Sequence, residues 1–162
     1  MVANGDATII LPTLNEVDNI GAMLNTLTSL YPELSVLVVD DHSEDGTAEV
    51  VDGFAGDVRV VVRDPSDRGL SASIYDGILL CTTPYFVVMD CDFQHPPEKV
   101  ADLLREMRDG ADLVIGVRTD RSALTPFRRF SSSVAHIMAH TYLVFLSQPS
   151  SRDIMTGFFA GR

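Results

Sequence analysis

Five short runs rich in Val and Ile punctuate the chain: Ala7 to Leu11, Val36 to Val39, Val58 to Val62, Phe86 to Met89 and Ala111 to Ile115. Short apolar runs of this kind, bounded by polar turns and enriched in β-branched side chains, predict buried strands. Between them the period changes. Val17, Ile20, Leu24, Leu27 and Tyr31 fall on one face of a helix, as do Val100, Leu103, Leu104 and Met107. Pro96 and Pro97 suit the start of the second of these helices, because proline has a fixed φ and the first turn does not use its missing N–H. Gly110 suits its end. Strand and helix alternate, so the expected fold class is α/β with a largely parallel sheet.

After Gly116 the pattern shifts to a loop around Arg118 to Pro126 and then a long predicted helix from Phe127 to about Ser147. Phe127, Phe130, Val134, Ile137 and Met138 form its stripe, and Tyr142 to Leu146 are apolar all round. That end suits burial or contact with a membrane surface, with burial the commoner use of such a segment. A strand-like piece, Ile154 to Ala160, follows, and the chain reaches Arg162 with no closing element. A run as short as Tyr142 to Leu146 cannot span a bilayer, and the first residues lack the basic-then-apolar pattern of a signal peptide. Any membrane role is expected to be peripheral.

Charge divides the chain in two. Of its 162 residues, 12 are Lys or Arg and 23 are Asp or Glu, a formal net charge of -11, which excludes a domain built to neutralise nucleic-acid phosphates. Up to Val117 there are 6 basic and 21 acidic residues; from Arg118 onward there are 6 basic and 2 acidic. The second part is therefore the one able to attract an anionic group. With 46% hydrophobic residues the chain is not disordered. Cys81 and Cys91 are too few for a disulfide framework and fit no metal spacing, so free thiols in a reducing compartment, the cytoplasm, are expected.

Ligands of open α/β sheets bind at the carboxyl ends of the strands, which here are followed by Asn15 and Glu16, by Asp40 and Asp41, and by Asp90 and Asp92. Alternation in an extended chain sends the Asp90 and Asp92 carboxylates one way and Cys91 the other. Two carboxylates about 4 Å apart repel by about 4 kcal/mol at an effective dielectric near 20, and a hard divalent cation bridging them to a diphosphate removes the conflict. Gln94 offers a neutral oxygen ligand nearby. Asp40, at a strand end, can accept hydrogen bonds from a base or ribose, while Ser43 or Asp45 can cap the following helix. Gly69, where a loop enters another helix, permits close backbone approach to a ligand. An acidic solvated loop remains the structural reading of each feature taken alone.

Taken in order, Leu11-Pro-Thr-Leu-Asn-Glu16, VVDDHSEDGT, RGLSAS, VVMDCDFQHPPE, VIGVR, RRFSSS and DIMTGFF resemble glycosyltransferase family 2, most of all the polyprenyl-phosphate glycosyltransferases such as dolichol-phosphate mannose synthases. The resemblance covers nearly the whole chain. It implies a GT-A fold: a Rossmann-like nucleotide-binding sheet with flanking helices in a single domain over 1–162. Residues 1–117 would form the nucleotide-sugar-binding half and 118–162 an acceptor-side half. Similar proteins continue well past the Thr156-Gly157-Phe158-Phe159 motif, so that half is expected to be truncated. Leu14 stands where similar proteins commonly carry Tyr.

By the same matching, Pro12, Leu14, Glu16, Val38, Asp40, Asp90, Cys91 and Asp92 bind the donor nucleotide-sugar, with GDP-mannose favoured and a UDP-sugar the alternative. Asp90, Asp92 and Gln94 hold Mg2+ or Mn2+. Arg118, Arg128 and Ser132 bind the phosphate of a polyprenyl lipid, and Asp92, Arg118 and Arg128 are the expected catalytic residues. His42 and His95 are read as plain loop residues. The implied reaction is inverting transfer of a hexose to that phosphate, on the cytoplasmic face of a membrane. A phosphate monoester loses its second proton near pH 6, so such a nucleophile needs placement more than a base.

Two other readings are open: a nucleotide-sugar-binding fragment without turnover, and a receiver domain with paired acids after two strands. The second needs a lysine after a later strand, and the sole lysine, Lys99, lies on the wrong element.

Overall fold

In the computed structural model, residues 5–117 and 157–162 are described. Six strands form one sheet: β1 (Ala7–Thr13), β2 (Ser35–Asp40), β3 (Val58–Val62), β4 (Tyr85–Val88), β5 (Leu113–Ile115) and β6 (Phe159–Gly161). Four helices connect them: α1 (Val17–Leu30), α2 (Thr47–Asp52), α3 (Leu70–Leu80) and α4 (Val100–Arg108). The order across the sheet is β3-β2-β1-β4-β6-β5, with β1 parallel to both β2 and β4, β2 parallel to β3, and β6 antiparallel to β4. The expected largely parallel α/β sheet is present. Two compact units divide the chain, one of 1–114 with 158–162 and the other of 115–157. The first unit contains β1 to β4, β6 and all four helices. The predicted loop and helix of 118–147 lie outside the described residues.

Alternation along the strands builds two apolar layers. Ile9 and Leu11 of β1, Val36 and Val38 of β2 and Val87 of β4 face α1 and α4, where Ile20, Met23, Leu24, Leu27, Val100, Leu104 and Met107 complete a core from which water is excluded. Ile10, Leu37, Val39 and Val88 face the other way, with Ile74 and Ile78 of α3 packed on them. The predicted stripes of α1 and α4 are thus the buried ones, except that Val17 is only half-buried and Met23 joins the first.

The strands differ in burial more than their composition suggests. β1 is buried along its whole length, whereas β3 and β5 expose Val62 and Leu113 by about half. The expectation that every run is a buried strand is corrected here: β3 and β5 are the two edges of the sheet, where one flank has no neighbouring strand. The proline pair also acts as predicted in kind but not in place. A 3-10 turn over Pro97–Lys99 precedes α4, and Gly110, at φ 107°, follows it in the left-handed region.

α3 departs from a simple amphipathic pattern, since Ile74 and Ile78 pack on the sheet but other apolar residues face outward. Its buried positions are Ser73 and Gly77, while Leu70, Tyr75, Leu79 and Leu80 are exposed. A Cβ built on Gly77 would stand 2.5 Å from Ile10 Cγ2 and 3.2 Å from Val39 Cγ2, so the missing side chain lets the helix settle onto the sheet. That close approach places the first turn of α3 beside the carboxyl ends of β1 and β2.

Candidate functional site

Strands β1, β2 and β3 step outward in one direction, and β4 lies on the opposite side of β1. The direction of winding therefore reverses between β1 and β4, which opens a crevice beyond their carboxyl ends. A cavity of about 210 Å³ occupies it. Pro12, Thr13, Leu14 and Glu16 line it from β1 and its loop, Asp41 from the end of β2, Leu70 and Ser73 from α3, and Asp90, Cys91 and Asp92 from the loop after β4. Each of the three strand-end loops contains a non-glycine residue at positive φ: Asn15 at 56°, His42 at 62° and Phe93 at 59°. Such backbone is costly for a side chain as bulky as Phe, and it concentrates where chain direction is dictated by a site.

The acids after β2 are bound up within the protein. Asp40 is fully buried and accepts hydrogen bonds from Thr13 Oγ1 at 3.0 Å, Ser43 N at 2.7 Å and Ser43 Oγ at 2.6 Å. Asp41 accepts from Arg63 at 2.7 Å and from the Gly69 N–H at 2.8 Å. Asp45 Oδ1 accepts from both the N–H and the hydroxyl of Thr47, and its Oδ2 from the Val17 N–H. The Thr47 hydroxyl bond, the largest cause, and the backbone bonds hold the Asp45 carboxyl below the usual range. Asp45 thus joins the first turns of α1 and α2.

Arg63, just after β3, organises this wall. Its guanidinium is nearly inaccessible and bonds Asp76 of α3 at 2.7 Å, Asp41 at 2.7 Å and Asp67 at 2.9 Å. The Asp76 hydrogen bond, before its other partners and against the cost of desolvation, raises its pKa further, so the group is a permanent cation. Nothing in the pattern of the strand ending at Val62 marked it as part of a site; an Arg directly after an edge strand, followed by Asp64, Asp67 and Asp76, was the available signal.

The loop after β4 is built differently. β4 ends at Val88 and residues 91–95 form bends, yet burial still alternates along the run, with Cys91 buried and the Asp90 and Asp92 side chains half-buried. All three border the cavity, with Cys91 2% exposed at its base. Burial, then the Glu16 and Asp92 carboxylates nearby, push the Cys91 thiol up to about 12; it is neutral and donates its proton toward Glu16. Asp92 accepts from the Gln94 N–H at 2.9 Å, and the partly exposed Asp90 carboxylate lies 3.5 Å from His95 Nε2. His95 itself is 2% exposed and stacks on Phe158, ring centroids 5.2 Å apart and 23° between planes. His95 is a loop residue as expected, and there it ties the acidic stretch to the residue that precedes β6. Both cysteines are free thiols.

Of the expected donor-binding residues, the fold brings Pro12, Leu14, Glu16, Asp90, Cys91 and Asp92 together around one cavity. Val38 and Asp40 do not line this cavity: both are fully buried, Val38 in the core and Asp40 inside its hydrogen bonds. Asp41, the next residue, does line it. Gln94 is exposed and does not line it. Arg118, Arg128 and Ser132 lie outside the described residues. Among the described residues no three His, Cys, Asp or Glu side chains cluster closely enough to hold a metal by themselves. Also among them, no helix is long and apolar enough to cross a membrane.

Comparison with known proteins agrees with this geometry. The family model for glycosyl transferase family 2 matches residues 8–162. A dolichol-phosphate mannosyltransferase of Pyrococcus furiosus is 33% identical over 95% of this chain and 45% of its own length. A polyprenol monophosphomannose synthase of Mycolicibacterium smegmatis is 35% identical over 95% of this chain and 60% of its own. The chain thus spans about half the length of the curated relatives it matches. Among solved structures, glucosyl-3-phosphoglycerate synthase of Mycobacterium tuberculosis, in complex with Mn2+, UDP-glucose and phosphoglyceric acid, superposes with a TM-score of 0.74 at 20% identity, covering 98% of this chain and 57% of that one. A mannosyltransferase of Pyrobaculum calidifontis in complex with GDP-mannose and Mn2+ gives a TM-score of 0.61 at 24% identity, over 75% and 38% of the two chains. These structural likenesses establish the fold, a GT-A arrangement. With a crevice at the switch point, acids at its β4 side and a family match over nearly every residue, the chain belongs to glycosyltransferase family 2.

Proposed function

We propose that this chain carries out the donor side of hexose transfer to a polyprenyl phosphate, with GDP-mannose as the favoured donor. The observation that carries the reading is the pair of carboxylates, Asp90 and Asp92, bordering a crevice in which Asp41 is already paired. A diphosphate cannot approach two such carboxylates unaided. Their oxygens are hard ligands suited to Mg2+ or Mn2+, and a cation held by one or two protein carboxylates completes its shell from substrate phosphate, water and, as proposed here, the Gln94 carbonyl. When bound, that cation supplies the positive charge that offsets the diphosphate and favours its departure.

The chain's own residues do the rest. The Gln94 N–H fixes one Asp92 oxygen, and His95, braced by Phe158, stands beside Asp90. Pro12 at the end of β1, Leu14 just after it and Leu70 from α3 offer apolar surface to the nucleoside. Arg118, Arg128 and Ser132 are proposed to orient the lipid phosphate. An oxygen of that phosphate then forms the new bond to the anomeric carbon as the bond to the nucleoside diphosphate breaks on the opposite face, inverting configuration. The acceptor is already ionised near neutral pH, so no base is required. Cys91, kept neutral by burial, is not a nucleophile in this scheme. A basic segment after Val117 suits a peripheral approach to a lipid phosphate at the cytoplasmic face of a membrane.

Because a UDP-glucose complex shares the fold, a UDP-sugar donor is the second reading. Calorimetric titration of GDP-mannose and UDP-glucose into the chain, with and without Mn2+ or Mg2+, separates them. Cation-dependent binding of GDP-mannose that disappears in Asp92→Ala is the expected result. Preference for UDP-glucose would select the second reading, and binding of neither by the folded chain would overturn both.

A further inference from the structure

Among the described residues, one buried side-chain oxygen or nitrogen has no hydrogen-bond partner: Ser73 Oγ. The residue is 1% exposed, and it lines the cavity at the carboxyl end of the sheet. Leaving a hydroxyl unsatisfied in a buried position costs about 1–3 kcal/mol, and a helix offers an easy remedy. Ser and Thr within a helix commonly donate to the carbonyl four residues earlier. Thr26 and Thr28 of α1 do so, to Ala22 O at 2.9 Å and Leu24 O at 2.8 Å. Ser73 does not, although the Gly69 carbonyl is close enough to accept its backbone N–H at 3.0 Å.

The position of the hydroxyl is imposed by the fold. Gly77, one turn further along the same face, lets α3 approach Ile10 and Val39 closely, which carries Ser73 down to the cavity wall. The acid on this wall, Asp41, has each oxygen engaged, one by Arg63 and one by the Gly69 N–H. Leu70, Pro12 at the end of β1 and Leu14 just after it are apolar. A neutral, largely flat ligand portion with polar atoms on its edge suits such a wall, and a hydroxyl can serve it as donor or acceptor. The charged portion of a nucleotide-sugar belongs instead with Asp90 and Asp92.

Resting on the donor-site reading above, we propose that the Ser73 hydroxyl is a donor-binding group that hydrogen-bonds a polar atom of the nucleoside moiety. Its missing partner is then supplied by the ligand. Removing the hydroxyl takes nothing from the free protein, because no bond there depends on it, but removes a contact from the complex.

The test is titration of the full chain and of Ser73→Ala and Ser73→Cys with GDP and Mg2+, beside urea denaturation of each. Ser73→Cys keeps the shape of the side chain with a slightly larger atom and weakens the hydrogen bond. For both variants the expected Kd for GDP rises about 3–10-fold, the worth of one neutral hydrogen bond, while stability is unchanged or slightly higher. Inorganic pyrophosphate with Mg2+, which lacks a nucleoside, should bind wild type and variants alike. GDP affinity within about two-fold of wild type in both variants overturns the proposal, as does an equal loss for pyrophosphate, or a loss of stability that accounts for the loss of binding. Failure of the wild type itself to bind GDP or UDP would overturn the donor-site reading and this inference with it.

Discussion

The loop after β2 and the loop after β4 both present acids at the same end of the sheet, yet the protein uses them in opposite ways. After β2, Asp40, Asp41 and Asp45 are each occupied by two or three internal donors, drawn from Thr13, Ser43, Arg63, Gly69, Thr47 and Val17. After β4, Asp92 accepts the Gln94 N–H and Asp90 meets His95 at 3.5 Å, and both carboxylates border the cavity. A carboxylate with both oxygens held by internal donors shapes its surroundings; one with an oxygen left for other partners can take a cation. The difference separates the frame of the site from its chemistry, although both loops read as acidic turns.

That contrast makes opposite demands on two aspartates. Asp92→Ala should lower transfer, or donor binding where transfer is not measured, by about 10²-fold or more, as expected for loss of an electrostatic contact to the reacting diphosphate. Its urea midpoint should barely move. Asp40→Ala should behave in reverse: about 2 kcal/mol of stability is lost in urea denaturation, since the Thr13 and Ser43 donors are left without their acceptor. Donor affinity should fall only as far as the loop loosens. If Asp40→Ala abolished binding in a chain of wild-type stability, the division between frame and chemistry would be wrong.

Gly77→Ala sharpens the picture from the α3 side. Its methyl must displace Ile10 and Val39, costing about 1–2 kcal/mol, and the shift should also weaken donor binding because Ser73 and Leu70 ride on the same helix. A stability loss without any change in affinity would show that the α3 wall does not set the cavity.

The smallest effect belongs to Cys91. Its thiol titrates near 12 when folded and near 9 when unfolded, so between those values the folded state holds a proton that the unfolded state has released. Stability from this group is intact below about pH 9 and declines as pH rises toward about 12, by about 1 kcal/mol at about pH 10. Cys91→Ala should remove that decline from a stability profile. Near neutral pH a thiol-directed alkylating reagent should modify the more accessible Cys81 well before Cys91; rapid labelling of Cys91 would contradict its neutral, buried state.

Much of the fold was legible because strand and helix periods are local properties. The runs at Ala7, Val36, Val58, Phe86 and Ala111, with the stripes of α1 and α4, required no knowledge of distant neighbours. α3 was harder to read: Ile74 and Ile78 pack on the sheet beside a buried Ser73 and Gly77, while its leucines face outward, so apolar residues surround the helix and no single stripe marks the packed face. The site divides similarly. Pro12, Leu14, Glu16 and the Asp90 to Asp92 run follow directly from strand ends in a parallel sheet. Burial of Asp40, the Arg63 bonds to Asp41 and Asp76 and the His95–Phe158 stack join residues well separated along the chain, and no local pattern encodes them.

The sequence by itself therefore determined the element types, their alternation, the family and the end of the sheet where a ligand belongs, since these follow from side-chain period and from the order of motifs. Only the tertiary structure decided which acids are free and which are filled, and that a serine hydroxyl lies unpartnered in the cavity wall. Hydrogen-bond capacity is consumed by whatever the fold brings within about 3 Å, and that cannot be read from the residue alone.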